Sequence, residues 1–194
     1  MDRQAAQARL DTITEAIRTS GICPELRDQP ATLVPGDGNP LADIMFIGEA
    51  PGKQENNAGR PFVGAAGKYL NTLLEDAGLR RDDVYITNIV KYRPPSNRDP
   101  KPEEKAAFLP YLLEELAIVQ PKIIATLGRH SMEYFLPGRT ISDVHGQPHP
   151  IIVDGAPYTL VPLFHPSYAQ YNGSFRPILH DDFMKLPGYL KNVV

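Results

Sequence analysis

Short apolar runs, each stopped by a glycine or a polar residue and separated by stretches of helical periodicity, constrain this chain more than any other feature. Ile44-Met45-Phe46-Ile47 stops at Gly48, Val84-Tyr85-Ile86-Thr87 at Asn88, and Ile123-Ile124-Ala125-Thr126-Leu127 at Gly128. Tyr158 to Phe164 follows a turn at Asp154-Gly155 and stops at His165. Runs of this length, rich in β-branched residues and bounded by turn formers, predict buried strands. Between them, Ala6, Leu10, Ile13 and Ile17 form one stripe of a helix over 2–19. Leu70, Leu73, Leu74 and Ala77 do the same over 65–77, with Gly78 as a C-terminal cap. Pro102 and Glu103-Glu104 open a helix over 102–118, where a proline and early carboxylates suit the first turn. A short helix is expected after Gly128, and a last one over 176–185. Strands alternating with helices predict an α/β fold around a mainly parallel, four-stranded sheet.

The bulk numbers bound the function classes. The 194 residues fit a single domain spanning 1–194. No apolar stretch approaches the ~18 residues of a membrane span, and Met1-Asp2-Arg3-Gln4 leads into a mixed polar helix, so a cytoplasmic protein with no membrane contact is expected. One cysteine, Cys23, excludes an intramolecular disulfide and any all-cysteine metal site within one chain. A net charge of −3 argues against a surface basic all over. It leaves room for a local basic strip, which is enough to contact a few phosphates.

In open parallel sheets, ligands bind beyond the carboxyl ends of the strands. Those ends carry Gly48-Glu49-Ala50-Pro51-Gly52, Asn88 and His165-Pro166-Ser167. A carboxylate, an amide and an imidazole would therefore meet in one crevice. Asn88 offers one donor and one acceptor in a plane, matching the O4 and N3–H edge of uracil and mismatching cytosine. His165 can donate a hydrogen bond to O2 as charge builds on a departing base. Glu49 can orient a water or stabilise a cationic sugar, and the glycines let backbone N–H groups approach closely. Singly, each has an ordinary structural reading as a tight turn, a strand-end residue and a structural histidine; their coincidence at three strand ends favours chemistry.

These residues belong to longer segments that resemble the family 4 uracil-DNA glycosylases. The resemblance is carried by Gly48-Glu49-Ala50-Pro51-Gly52, by Gly59-Arg60-Pro61-Phe62-Val63-Gly64-Ala65-Ala66-Gly67 and by Val84 to Lys91. It continues through Arg93-Pro94-Pro95 with Asn97-Arg98, Pro121-Lys122, and His165-Pro166-Ser167-Tyr168. It runs from about residue 20 to the C-terminus, and it implies a three-layer αβα fold. It implies hydrolysis of the N-glycosidic bond of uracil, or of other deaminated bases, flipped out of DNA to leave an abasic site. Phe62 would stack on the extruded base, and the glycines of the family motif favour it as an exposed platform. Glu55 would crowd the methyl group of thymine, unless it is a solvated loop acid. Gly48, Glu49, Ala50 and Gly52 match the segment that positions water and substrate. Lys91, Arg93, Arg98 and Lys101 form a basic strip beside Asn88, and Ser167 and Tyr168 would hold phosphates. No metal or other cofactor is needed for the chemistry, and a monomer acting on uracil-containing DNA is expected.

The family's [4Fe–4S] cluster is held by four cysteines. Here Ser20, Cys23, Tyr92 and Phe108 stand at or within a residue of those positions, and one thiolate cannot hold the cluster. Tyr92 and Phe108 are expected to fill the vacated volume by packing near Leu26. The two leucines and an arginine that usually follow the His-Pro-Ser-Tyr segment, the wedge entering the base stack, are replaced by Ala169-Gln170-Tyr171. Tyr171 or Arg176 is a candidate substitute. His145 stands where the family often has arginine, which opens a shift in base preference. Gly48 to Lys53 is one residue short of a phosphate-binding P-loop, with Gln54 in place of the required hydroxyl. His145 and His149 have metal-like spacing, but Gly146 and Pro148 exclude a helix there. The competing reading is a binding module that grips nucleic acid on the same fold without cleaving it.

Overall fold

The computed structural model describes residues 1–28 and 31–192; residues 29–30 of the Pro-rich loop and the last two residues lie outside it. Helix α1 (Arg3–Ser20) is capped by the Asp2 carboxylate, which accepts from the Ala5 N–H at 2.8 Å, and ends at Gly21 in the left-handed conformation. A single turn, α2 (Pro24–Arg27), follows. Strand β1 (Asp37–Gly38) precedes β2 (Ile44–Gly48), and helices α3 (Lys53–Ala58) and α4 (Ala65–Asp76) lead to β3 (Tyr85–Asn88). Helix α5 (Pro102–Val119), β4 (Ile123–Leu127), α6 (Arg129–Phe135) and α7 (Ile141–Val144) come next. The hairpin of β5 (His149–Val153) and β6 (Ala156–Leu163), then α8 (Tyr168–Tyr171) and α9 (Phe175–Asn192), complete the order.

The expected four strands form the parallel centre, ordered β3-β2-β4-β6, but the sheet has six strands. The two additions are antiparallel edges, β1 on β3 and β5 on β6. β1 is two residues long, too short to show a period. β5 contains Pro150, which an edge strand tolerates because one side of its backbone needs no partner. The Asp154-Gly155 turn, with φ of 47° and 79°, closes the β5–β6 hairpin.

Side chains alternate across the central strands into two cores. Met45, Ile47 and Ile124 pack with Leu10, Ile17, Phe108 and Leu112 of α1 and α5. Ile44, Phe46 and Leu127 pack with Leu70, Leu74, Leu179 and Phe183 of α4 and α9 on the other face. The molecule is therefore three-layered, αβα, with strands buried on both faces, as the near-continuous apolar runs require. Among the described residues, no helix is long and apolar enough to cross a membrane. Helix α9 runs beyond the expected stop at 185, because Leu186 and Leu190 continue its apolar face past Pro187.

Candidate active site

Strand pairing gathers the polar ends. Gly48 lies opposite Asn88 in the β2–β3 register, and the carbonyls of Gly48 and Glu49 accept from Ile89 and Val90, both at 3.0 Å. The Gly128 N–H donates to the Leu163 carbonyl at 2.8 Å, tying the end of β4 to that of β6. A cleft of about 480 Å³ opens beyond these carboxyl ends. It is lined by Glu49, Ala50, Gly52, Glu55, Phe62, Asn88, Arg98, His165, Ser167 and Tyr168 of the expected set. Gly48, expected to bind substrate, is not in the lining but lets its walls close up: a Cβ there would lie 2.6 Å from the Phe62 ring and closer still to Asn88 Oδ1.

The Phe62 ring is a buried wall, only 6% exposed, and not the exposed platform expected from its glycines. Its φ is +51°, a left-handed conformation that costs on the order of 1 kcal/mol or more for a phenylalanine. Arg81 holds that conformation by donating to the carbonyls of Pro61 at 2.6 Å and Phe62 at 3.0 Å. Glu55 Oε1 accepts from the N–H groups of Val63 and Gly64 at 2.9 and 2.7 Å. Glu55 is thus half-buried and engaged, not a free loop acid: it braces the loop carrying Phe62 while lining the cleft. Gly67 is forced by the same packing, since a Cβ there would overlap the Phe62 backbone.

The state of His165 follows from its neighbours. The Ser167 N–H donates to Nδ1 at 3.2 Å, and the Ser167 hydroxyl lies 2.8 Å from the same nitrogen. Nδ1 is therefore an acceptor, and the ring proton sits on Nε2. Burial pushes the imidazole down to about 4, so it is neutral at pH 7. Its ring centroid is 5.6 Å from that of Phe62. Asn88, 2% exposed, has an Oδ1 with no hydrogen-bond partner. A buried unpaired acceptor is costly, and a ligand donor would relieve it. Burial raises the Glu49 carboxyl above the usual range, opposed chiefly by His130.

Several expected residues lie elsewhere or are otherwise engaged. Lys91 is fully buried and pairs with Glu115 at 2.6 Å, its Nζ also donating to Thr87, so it is not a phosphate contact. Arg93 is not part of the cleft lining, and its guanidinium donates to Asn97, which is, at 2.7 Å. Arg98 lines the cleft but forks onto the buried Glu104 carboxylate at 2.8 and 2.5 Å. His145 bonds Asp182 at 2.6 Å and packs on Phe164, outside the cleft lining. Ser167 sets the His165 tautomer, while Tyr168 is half exposed at the rim beside Tyr171, which is 90% exposed. The reading of strand ends missed Asp99, Arg129 and His130, which also line the cleft. The signal was available: Arg129-His130 directly follows Gly128 at the end of β4, the one strand end not inspected.

The residues at the cluster positions do not fit an iron–sulfur group. The Cys23 thiol is pushed up to about 11 by burial and by Glu25 and Glu104, so it is no thiolate. The Ser20 hydroxyl donates to the Ile17 carbonyl. Tyr92 and Phe108 meet edge to face, centroids 6.1 Å apart, in the same core cluster as Leu26.

The carboxyl ends of the mainly parallel sheet thus bring an aromatic wall, an amide with an unpaired oxygen and a neutral imidazole to one cleft. The sequence model of the uracil DNA glycosylase superfamily matches residues 35–184, and the chain belongs to that superfamily. It is 40% identical over 184 residues to the Type-4 uracil-DNA glycosylase of Thermotoga maritima, covering 94% of this chain and 95% of that protein. It is 47% identical over 159 residues to the Type-4 uracil-DNA glycosylase of Sulfurisphaera tokodaii, covering 79% and 72%. A solution NMR structure from Methanosarcina acetivorans, described as a candidate uracil DNA glycosylase, shares the fold: TM-score 0.52, 12% identity, 81% of this chain and 98% of that one.

Proposed function

We propose that this chain is a uracil-DNA glycosylase of DNA repair that flips uracil out of DNA and hydrolyses its N-glycosidic bond, leaving an abasic site. The observation that carries this reading is Asn88, with its buried and partnerless Oδ1, lining the same cleft as the neutral His165. The N3–H of uracil supplies the missing donor, and the Asn88 amide N–H donates to O4. Cytosine presents the reversed edge and leaves the site unpaired, a mismatch that can reach a discrimination of about 10⁴. Phe62 stacks on the ring from the side opposite solvent, in a geometry held by Arg81 and Glu55.

The bond breaks with its electron pair leaving on the base, so negative charge develops at O2. The His165 Nε2–H donates there without needing to be cationic, and one such preorganised donor is worth roughly 3 kcal/mol of barrier. Glu49 faces the sugar side, where its carboxylate stabilises the positive sugar and orients the attacking water. Tyr168 and Tyr171, both in the cleft lining and exposed, are the residues assigned to contact with the DNA strand. Action as a monomer and a cytoplasmic location are part of the same reading.

Uracil release from single- and double-stranded DNA tests this. We expect free uracil and an abasic product; DNA binding without any abasic product would establish the non-catalytic binding module instead. We further infer that the enzyme works without the iron–sulfur cluster, its structural part taken by Tyr92, Phe108 and Leu26. Purified protein is expected to carry no stoichiometric iron, and a brown preparation with bound iron would refute this.

A further inference from the structure

The glycosylase reading leaves His130, on the first turn of α6, without a role, although it lines the cleft. Its Nε2 lies 3.1 Å from Asp99 Oδ2 and 3.8 Å from Glu49 Oε2, while its Nδ1 is buried with no partner. Nε2 is the ring nitrogen turned toward the carboxylates, and the Arg129 Nε–H also points at it from 3.3 Å. Arg129, on the same turn, holds the same oxygen, Asp99 Oδ2, at 3.0 Å. One side-chain oxygen or nitrogen from each of Glu49, Asp99 and His130 lies within 4.8 Å of the others, with a guanidinium beside them.

We propose that His130 is a positioning residue for the glycosidic hydrolysis, an imidazole bridge between Asp99 and Glu49 that keeps Glu49 a carboxylate at the sugar side of the cleft. The need for such a device is physical. Burial favours the neutral acid of Glu49, and a neutral acid neither stabilises a positive sugar nor accepts a proton from water. The groups facing Glu49 are His130 and Arg129 from α6, Asp99 from the loop after β3, and Lys105 from α5. Lys105 is drawn toward Glu133 at 3.7 Å and Arg129 toward Asp99, which leaves His130, at 3.8 Å, as the basic side chain paired with Glu49. Imidazoles in general take up a proton at higher pH than carboxyl groups do, and beside Glu49 that charge opposes the neutral acid. Asp99 anchors the ring, and its like charge works against Glu49.

This inference rests on the glycosylase reading, and two measurements separate them. Single-turnover excision of uracil from single-stranded DNA is followed from pH 4.5 to 8.5 in wild type, His130→Ala, His130→Gln and Asp99→Asn. Removing the imidazole takes away the opposing cation, so Glu49 is neutralised at higher pH. The acid limb of both His130 variants moves up, with about a tenfold loss of rate near pH 5 and a much smaller one near pH 8. Asp99→Asn removes a like charge and moves the limb the other way. A merely structural histidine would lower the rate equally at every pH, and that result would overturn the proposal. The second measurement needs no catalysis: ¹³C NMR titration of the Glu49 carboxyl in the free protein. Its midpoint rises in His130→Gln if the coupling exists; an unmoved midpoint overturns the inference even if uracil is excised. A moved midpoint in a protein that releases no uracil upholds the coupling and sinks the glycosylase reading instead.

Discussion

Asn88→Ala is expected to lower single-turnover uracil excision by about a hundredfold or more, while the protein melts within a few degrees of wild type. The two halves of this result have one cause. Asn88 Oδ1 accepts no hydrogen bond within the protein, so the native state loses none there when the amide is removed. Truncation even removes a buried acceptor that costs about 1–3 kcal/mol when left unpaired. The space created opens onto the cleft, where water can enter. Substrate, by contrast, loses the group that reads its edge. Excision kinetics beside a thermal melt decide the matter: activity preserved would mean that Asn88 does not read the base, and a collapsed fold would mean that it serves the strand end instead.

Lys91→Ala carries the largest expected loss of stability, about 3–5 kcal/mol, from leaving Glu115 buried and uncompensated. Lys91 has no exposed surface, Glu115 only 3%, and Thr87 donates to the same carboxylate at 3.1 Å. Burial pulls the ammonium below its ordinary range, opposed by Glu115. For a domain of this size each kcal/mol shifts melting by about 2–4 °C, so a drop on the order of 10 °C is expected. Replacing both partners together, Lys91→Met with Glu115→Leu, removes both charges and should restore most of the loss. Urea or thermal unfolding of the three variants measures it. Were Lys91 a phosphate contact, as its neighbours in sequence suggest, its removal would reduce the salt slope of DNA binding by about one and spare stability. The double variant, if folded, is expected to keep that slope.

The central strands and the polar residues at their ends were legible in the chain because both are local signals. A run such as Ile123 to Leu127 announces a strand buried on both faces, and Gly48, Asn88 and His165 mark where such strands stop. The edge strands were not legible. Asp37–Gly38 is too short for a period, and Pro150 argues against a strand unless the position is known to be an edge. Glu55 could be placed near the pocket from its motif, but its bonds to Val63 and Gly64 exist only once the loop closes back on α3.

By itself the amino-acid order determined the α/β alternation, the parallel centre and the meeting of Glu49, Asn88 and His165 in one crevice, since periodicity and strand topology are written within each segment. Tertiary structure alone decided which charges face water and which proton sits where. Lys91 is buried because Glu115, 24 residues away on α5, meets it beneath the sheet. His165 is a neutral donor because a folded turn aims the Ser167 N–H at Nδ1, and His130 reaches Glu49 because β4 lies beside β2. Solvation and protonation depend on the neighbours that folding brings into contact, and for Lys91 and His130 those neighbours lie far away along the chain.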